Sequence, residues 1–168
     1  MVSGNTAATS GGGIYTEQSN MTMANLSIYG NTAQNTASSS SCGGGGIYSY
    51  YGAPLISNCI IVGNMAYNNT VYGSGNQLFN YYTSGSLIDY TCYSNGTNDV
   101  SGYNAGFNFG THNMNTNPGF ANAAGGNFAL YSTSPCIDAG DNTKNSLTTD
   151  IRGGIYGRKL LGTDHTQA

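Results

Sequence analysis

A four-residue phrase, Gly12-Gly13-Ile14-Tyr15, returns 33 positions later as Gly45-Gly46-Ile47-Tyr48. A second phrase, Ile28-Tyr29-Gly30-Asn31, returns at the same interval as Ile61-Val62-Gly63-Asn64. A weaker third copy runs from Gln77-Leu78-Phe79 to Cys92-Tyr93-Ser94-Asn95. In every copy the aliphatic residue (Ile14, Ile47, Leu78) stands 17 positions before the closing asparagine (Asn31, Asn64, Asn95). A fixed internal spacing with connections of varying length marks a stacked repeat, in which each unit buries its apolar face only against its neighbours.

The unit is built of strands. Counting back from the closing asparagine, the fifth and third positions are Leu26 and Ile28, Cys59 and Ile61, Tyr90 and Cys92, and the sixth is Asn25, Asn58 or Asp89. Apolar and polar residues alternate over these short stretches, and no 3.6-residue period is sustained. Each copy reads as two short strands and a turn, followed by a loop of Gly, Asn and Ser. The expected fold is an all-β solenoid, a parallel β-helix of about three to four coils. The repeats lie near 11–42, 43–75 and 76–105, and residues 106–168 supply a last coil and a C-terminal closing segment. Ile14, Ile47 and Leu78 are expected to form one inward ladder, and Leu26, Cys59 and Tyr90 another. Glycine runs at 11–13 and 43–46 suit sharp corners or close chain approach. The closing asparagines suit a left-handed corner and can hydrogen-bond up the stack.

At 168 residues the chain fits one domain. Leu, Ile, Val and Phe are scarce, which raises disorder as an alternative, but charged residues are only 7% and the net charge is −3, without the self-repulsion that keeps chains unfolded. Fourteen tyrosines supply area to bury. Residues 1–137 contain no Lys or Arg, and Lys144, Arg152, Arg158 and Lys159 all fall near the end. A surface without cations cannot displace counterions from phosphates, so nucleic acid is excluded as a partner, and attraction to anionic membranes fails for the same reason. No apolar run approaches the length of a membrane span, so no membrane insertion is expected.

The stretch from Gly11-Gly12-Gly13-Ile14-Tyr15 to Ser57-Asn58-Cys59-Ile60-Ile61-Val62-Gly63-Asn64 resembles coils of right-handed parallel β-helix proteins. These are the secreted bacterial repeat proteins with rungs like those of polymorphic outer-membrane proteins. The end of the chain is similar to the C-terminal closure of the choice-of-anchor Q type. The matching phrases are Asn117-Pro118-Gly119-Phe120, Gly126-Asn127-Phe128-Ala129-Leu130, Ser134-Pro135-Cys136-Ile137-Asp138-Ala139-Gly140-Asp141-Asn142 and Asp150-Ile151-Arg152-Gly153. The resemblance implies a right-handed wind and an extracellular or cell-surface location. Such proteins usually continue into an Asp-x-Gly-Ala-x-Glu strand, where this chain has Gly162-Thr163-Asp164-His165. Gly4-Asn5-Thr6-Ala7 matches Gly30-Asn31-Thr32-Ala33, so the sequence opens at the close of a coil. The first rung is then an open sheet edge, suited to self-association or to a preceding part of a longer protein.

Candidate chemistry is sparse. Many β-helices cleave acidic polysaccharides, which takes a cation and a basic side chain at the uronate, and the rungs provide neither. Glycoside hydrolysis takes two carboxylates across the scissile bond. Only Glu17, Asp89 and Asp99 are available in the rungs, and Asp89 reads as the substitute for Asn25 and Asn58 in their ladder. No catalytic residue is therefore assigned. Asp138, Asp141, Asn142 and Asp150 form an acidic cluster able to offer oxygen ligands to Ca²⁺, although turn and cap duty is the simpler account. No other cofactor is implied. The cysteines at 42, 59, 92 and 136 contain no C-x-x-C, Cys59 and Cys92 read as small inward hydrophobes, and an extracellular setting leaves a disulfide from Cys42 or Cys136 open, with a connectivity that the sequence does not give. His112 and His165 stand isolated. Tyrosine is the remaining signal: Tyr15, Tyr48 and Phe79 form one expected outward line, and Tyr29, Val62 and Tyr93 another. Stacked aromatics suit the apolar C–H faces of sugars, so a polysaccharide or surface glycan is the expected partner, against the plainer reading of rings that merely support the sheet. The expected role is non-catalytic adhesion, glycan recognition or assembly. The runners-up are a polysaccharide lyase or hydrolase whose active coil lies elsewhere and a self-assembling fibre subunit.

Overall fold

The computed structural model describes residues 1–34, 36, 42–67, 74–82, 85–94, 96, 98–104 and 106–144. The first strands are β1 (Val2–Ser3), β2 (Thr6–Ala7), β3 (Ile14–Glu17), β4 (Thr22–Ala24), β5 (Ser27–Tyr29) and β6 (Thr32–Ala33). The second coil holds β7 (Ile47–Tyr50), β8 (Leu55–Ser57), β9 (Ile60–Val62) and β10 (Met65–Ala66). Then follow β11 (Leu78–Tyr81), β12 (Leu87–Asp89), β13 (Cys92–Tyr93), β14 (Val100–Tyr103) and β15 (Asn108–Phe109), and finally β16 (Phe120–Asn122) and β17 (Asn127–Leu130). Short 3₁₀ turns occupy Ala123–Gly125 and Asn142–Lys144.

These strands stack in parallel into four sheets, in the orders β1-β5-β9-β13, β10-β6-β2, β14-β11-β7-β3 and β15-β12-β8-β4. The chain is an all-β parallel solenoid. The first two coils contribute four strands each rather than the two read from the sequence: β4 and β8 are strands of their own before β5 and β9, and the loops after Asn31 and Asn64 hold the two-residue strands β6 and β10. β14 already stacks on β11, so a fourth tier begins at Val100.

The core is a set of ladders along the stack. Ile14 lies over Ile47, Leu78 and Val100; Met23 lies over Ile56 and Ile88; Val2 lies over Ile28, Ile61 and Tyr93. Ile28, Ile47, Ile61, Leu78 and Ile88 are fully buried. Removing each such side chain from water is worth about 1.5–3 kcal/mol, so the ladders hold the coils together.

The third coil departs from the expected register. Ile47 pairs with Leu78, an offset of 31, but Ile60 pairs with Cys92, an offset of 32. The extra residue falls before β12 and moves everything after it by one place. Tyr93, not Cys92, lies over Ile61, and Asp89 pairs with Ser57. Tyr90, not Asp89, follows Asn25 and Asn58 at the left-handed corner, with φ of 50° against 59° and 52°. Thr91 takes the inward place beside Cys59, whose backbone N–H donates to its hydroxyl. Side chains alternate with period two in a strand, so a one-residue slip turns each to the other face.

Asn31 and Asn64 are interior rather than corner residues, and Asn95 lies outside the described residues. The left-handed positions are Gly30 and Gly63, immediately before them (φ 64° and 68°). Asn31 and Asn64 are buried, and their amides run up the stack. Asn5 Nδ2 donates to Asn31 Oδ1 (2.9 Å), Asn31 Nδ2 to Asn64 Oδ1 (2.9 Å), and Asn64 Nδ2 to Gln77 Oε1 (2.8 Å). Each amide has a donor and an acceptor, so a column of them satisfies itself without water.

The C-terminal segment folds back along the side of the coils. The antiparallel pair β16–β17 sets Phe120 and Phe128 edge-on to Tyr29, at 6.0 and 5.5 Å. Farther on, Asn58 and the Asp141 backbone exchange two hydrogen bonds of 2.9 and 2.8 Å.

Candidate functional site

The β3-β7-β11-β14 sheet and its corners carry Tyr15, Tyr51 and Tyr82, three of the six exposed aromatic side chains among the described residues; Tyr67, Phe109 and Tyr131 lie elsewhere. The first column on the outer side of this sheet is Tyr15, Tyr48 and Phe79, with rings stacked at 5.3 and 5.4 Å and interplanar angles of 7° and 6°. The predicted stacking is present, but the column is not an open surface. Tyr15 is 49% exposed, whereas Tyr48 is 2% and Phe79 0% exposed. The backbone turns at Gly43 and Gly75 lie against the Phe79 ring, leaving no room even for a Cβ. Outward from the sheet is therefore inward to a covering turn, and burial pushes the Tyr48 hydroxyl pKa well up. Tyr15 donates to Glu17 Oε2 at 3.4 Å, and its pKa is raised by partial burial and then by that carboxylate.

The second column was not foreseen. Tyr50, Tyr81 and Tyr103 stack at 5.2 and 5.1 Å. Beside them, Tyr51 and Tyr82 sit at left-handed corners (φ 53° and 56°) and stack at 5.3 Å with an interplanar angle of 1°. Tyr51 meets Tyr50 at 89° and Tyr82 meets Tyr81 at 78°, so each corner ring is braced by the column. Tyr51 and Tyr82 remain 46% and 40% exposed. Tyr82 and Tyr103 hydroxyls lie 3.4 Å apart, and this hydrogen bond raises the Tyr82 pKa to about 12. The signal was in the sequence: the doubled Tyr50-Tyr51 and Tyr81-Tyr82 stand 31 positions apart, the Ile47–Leu78 interval.

The other line dissolves. Tyr93 faces the core, only 7% exposed, packed at 5.4 Å on Phe109. Tyr29 does pair with Val62, but it is the anchor of the β16–β17 hairpin.

The rung carboxylates are local fasteners. Asp99 accepts from Ser94 Oγ (2.6 Å), the Gly96 N–H (2.8 Å) and Asn76 Nδ2 (3.2 Å). Burial pushes its pKa up, and these bonds together with one from Gln77 more than offset that, leaving it below the ordinary value. Asp89 accepts from the backbones of Tyr90 and His112 and faces His112 Nδ1 at 3.3 Å, and Tyr90 stacks on that imidazole at 4.2 Å. Desolvation raises the Asp89 pKa, and the His112 and Tyr90 hydrogen bonds overturn it to a net lowering. His112 is thus not isolated.

Of the acidic cluster, Asp138 adopts a left-handed corner (φ 55°). Asp141 Oδ1 accepts from the Thr143 N–H (2.8 Å) and hydroxyl (2.7 Å), capping the turn that starts at Asn142. Asp150 lies outside the described residues, as does His165. Among the described residues, no three His, Cys, Asp or Glu side chains group as metal ligands, and no helix is long and apolar enough to cross a membrane. The tyrosine face offers a braced set of rings with phenolic hydroxyls, suited to apolar and hydrogen-bonding contact with a neutral ligand. Compared with known proteins, the chain matches no family model, no curated protein and no solved structure, so a functional reading has to rest on this face.

Proposed function

We propose that the chain is a non-catalytic, right-handed β-helix module that recognises a neutral polysaccharide through its tyrosine face, outside the cell or at its surface. The observation carrying this reading is the pair Tyr51 and Tyr82, parallel, exposed, and held edge-on by Tyr50 and Tyr81. Rings fixed in advance lose little freedom when a ligand lands, which is why rigid aromatics serve recognition well. Repetition from coil to coil suits a ligand that is itself repetitive and extended along the stack. The absence of Lys and Arg before Lys144 favours a neutral glycan over a uronate. The handedness follows the rule for parallel crossovers, and the location rests on the resemblance to secreted repeat proteins.

Native gels containing neutral glucans, xylans or mannans test the reading, with polygalacturonate as the acidic comparison. Retardation by a neutral polymer, weakened roughly tenfold or more by Tyr51→Ala with Tyr82→Ala, is the expected result. Equal mobility in every gel removes it, and depolymerised glycan would favour an enzyme instead. A second reading, end-to-end stacking, draws on β1, β2, β3 and β4, the outermost strands of the four sheets. Sedimentation velocity over a wide concentration range separates the two: growth into long species supports stacking, and a constant monomer rejects it.

A further inference from the structure

Tyr82 and Tyr103 meet at the outer end of the tyrosine stack. β14 is the outermost strand of its sheet and pairs with β11, which sets Tyr103 over Tyr81. The Tyr82 N–H donates to the Tyr103 carbonyl at 2.9 Å, and the two hydroxyls lie 3.4 Å apart in a second hydrogen bond. The two residues are therefore tied at both ends, backbone and phenol. Their rings meet at 82° with centroids 4.9 Å apart. Tyr81 braces both, edge-on to Tyr82 at 4.8 Å and stacked on Tyr103 at 5.1 Å. Tyr51 lies parallel to Tyr82 at 5.3 Å and extends the ring contact into the second coil. Solvent reaches the cluster, because Tyr82 is exposed and Tyr103 only partly buried.

We propose that Tyr82 and Tyr103 are a dityrosine site, at which a one-electron oxidant, of the kind a haem peroxidase forms from hydrogen peroxide, bonds the third coil to the fourth tier. Each phenol gives up one electron and its hydroxyl proton, leaving two phenoxyl radicals whose unpaired spin is shared with the ring carbons flanking the oxygen. One such carbon of Tyr82 bonds to one of Tyr103. The hydrogens on these two carbons then pass through solvent to the two oxygens, which restores both rings and both hydroxyls. The two phenols together lose two electrons and two protons; the peroxide takes them up and becomes two waters. Holding the rings in contact makes the coupling effectively unimolecular, so it outruns bond formation between chains. At its exposed corner the Tyr82 ring has room to turn toward its partner without displacing the core. The closed loop contains β12, β13 and β14, so the bond restrains the outermost strand of the sheet. No ligand takes part, and the inference stands apart from the glycan reading.

The test treats the dilute full chain with a haem peroxidase and hydrogen peroxide, isolates the monomer by gel filtration, and maps linked peptides by tandem mass spectrometry. The expected result is a peptide pair joined through Tyr82 and Tyr103, two hydrogens lighter than its parts, and an apparent Tm higher by roughly 5–10 °C. Tyr82→Phe and Tyr103→Phe keep the rings and remove the hydroxyls, and each should lose the linked pair, whereas Tyr81→Phe should retain it. The comparison of oxidised with untreated wild type needs no variant to fold. Tyr67 and Tyr131 are more exposed than Tyr82, so cross-links governed by accessibility alone would fall on them. Three outcomes would overturn the proposal: cross-links confined to those two residues, oxidised tyrosines with no linked pair in the monomer, or a Tyr82–Tyr103 bond that leaves Tm unchanged.

Discussion

Replacing Asn64 with alanine removes the middle of the buried amide column, and the cost can be worked from its bonds. Asn64 Nδ2 donates to Gln77 Oε1 (2.8 Å), Ile28 O (3.1 Å) and Val62 O (3.2 Å). Its Oδ1 accepts from the Asn31 backbone N–H (3.0 Å) and side chain (2.9 Å). After truncation, Asn31 Nδ2 keeps Val2 O (3.0 Å) and Gln77 Oε1 keeps the Asn64 N–H (3.2 Å). The Asn31 N–H loses its acceptor in a site closed to water. One stranded buried group costs about 1–3 kcal/mol, and the void adds to it, so a loss of about 3 kcal/mol is expected. Urea unfolding followed by circular dichroism would register a midpoint lower by roughly 1–2 M. Asn64→Asp is the sharper companion. It sets a carboxylate against Gln77 Oε1, Ile28 O and Val62 O, all acceptors, so it should be worse than alanine at neutral pH and recover on acidification. An Asn64→Ala midpoint indistinguishable from wild type, with Asn64→Asp no worse, would refute the claim that the column joins the coils.

Three further outcomes follow from the same contacts. Asp99 has its pKa lowered in the folded chain, so its stabilisation is present above the unfolded value, near 3.8, and is lost as pH falls through the lower folded value. Acid titration of unfolding should therefore show wild type losing an advantage over Asp99→Asn as pH drops below about 4, and a constant gap would contradict it. A Cβ at Gly45 would fall 2.3 Å from the Met65 carbonyl oxygen and 2.5 Å from that of Asn76, both backbone, so Gly45→Ala should lower the melting temperature by several degrees. A silent Gly45→Ala would show that the coils part there easily. Tyr29→Ala removes the ring under Phe120 and Phe128, and limited proteolysis should then cut the β16–β17 hairpin faster while the coils persist; an unchanged rate would mean that the hairpin is held by other contacts.

The coils were legible in the sequence wherever the period was intact. Between the first two coils every ladder keeps one offset, so Ile14 over Ile47 and Ile28 over Ile61 could be read directly. One residue inserted before β12 was enough to misplace Asp89, Tyr90, Cys92 and Tyr93, because strand side chains reverse face at each step. The sequence keeps its 17-residue spacing from Leu78 to Asn95 while the strand pairing moves from an offset of 31 to one of 32, so the motif conceals the insertion. The tyrosine face was half legible. Alternation correctly put Tyr15, Tyr48 and Phe79 on one side of the sheet. Alternation carries no information about the turns at Gly43, Gly44 and Gly75, which lie against Phe79 and Tyr48. The corner rings Tyr51 and Tyr82 were overlooked because a left-handed corner breaks the strand pattern used to find outward residues. The fold-back onto Tyr29 and the bonds between Asn58 and the Asp141 backbone join residues far apart in sequence, which local patterning does not encode.

The most direct measurement is a titration of ¹³C-tyrosine-labelled chain with neutral oligosaccharides, following ring resonances assigned by single Tyr→Phe variants. The tyrosine-face reading predicts saturable shifts at Tyr51 and Tyr82, with smaller ones at Tyr15 and Tyr103 and none at the covered Tyr48 or at Tyr93 in the core. No saturable shift with any neutral glycan, or shifts confined to Tyr29 and the C-terminal hairpin, would contradict it.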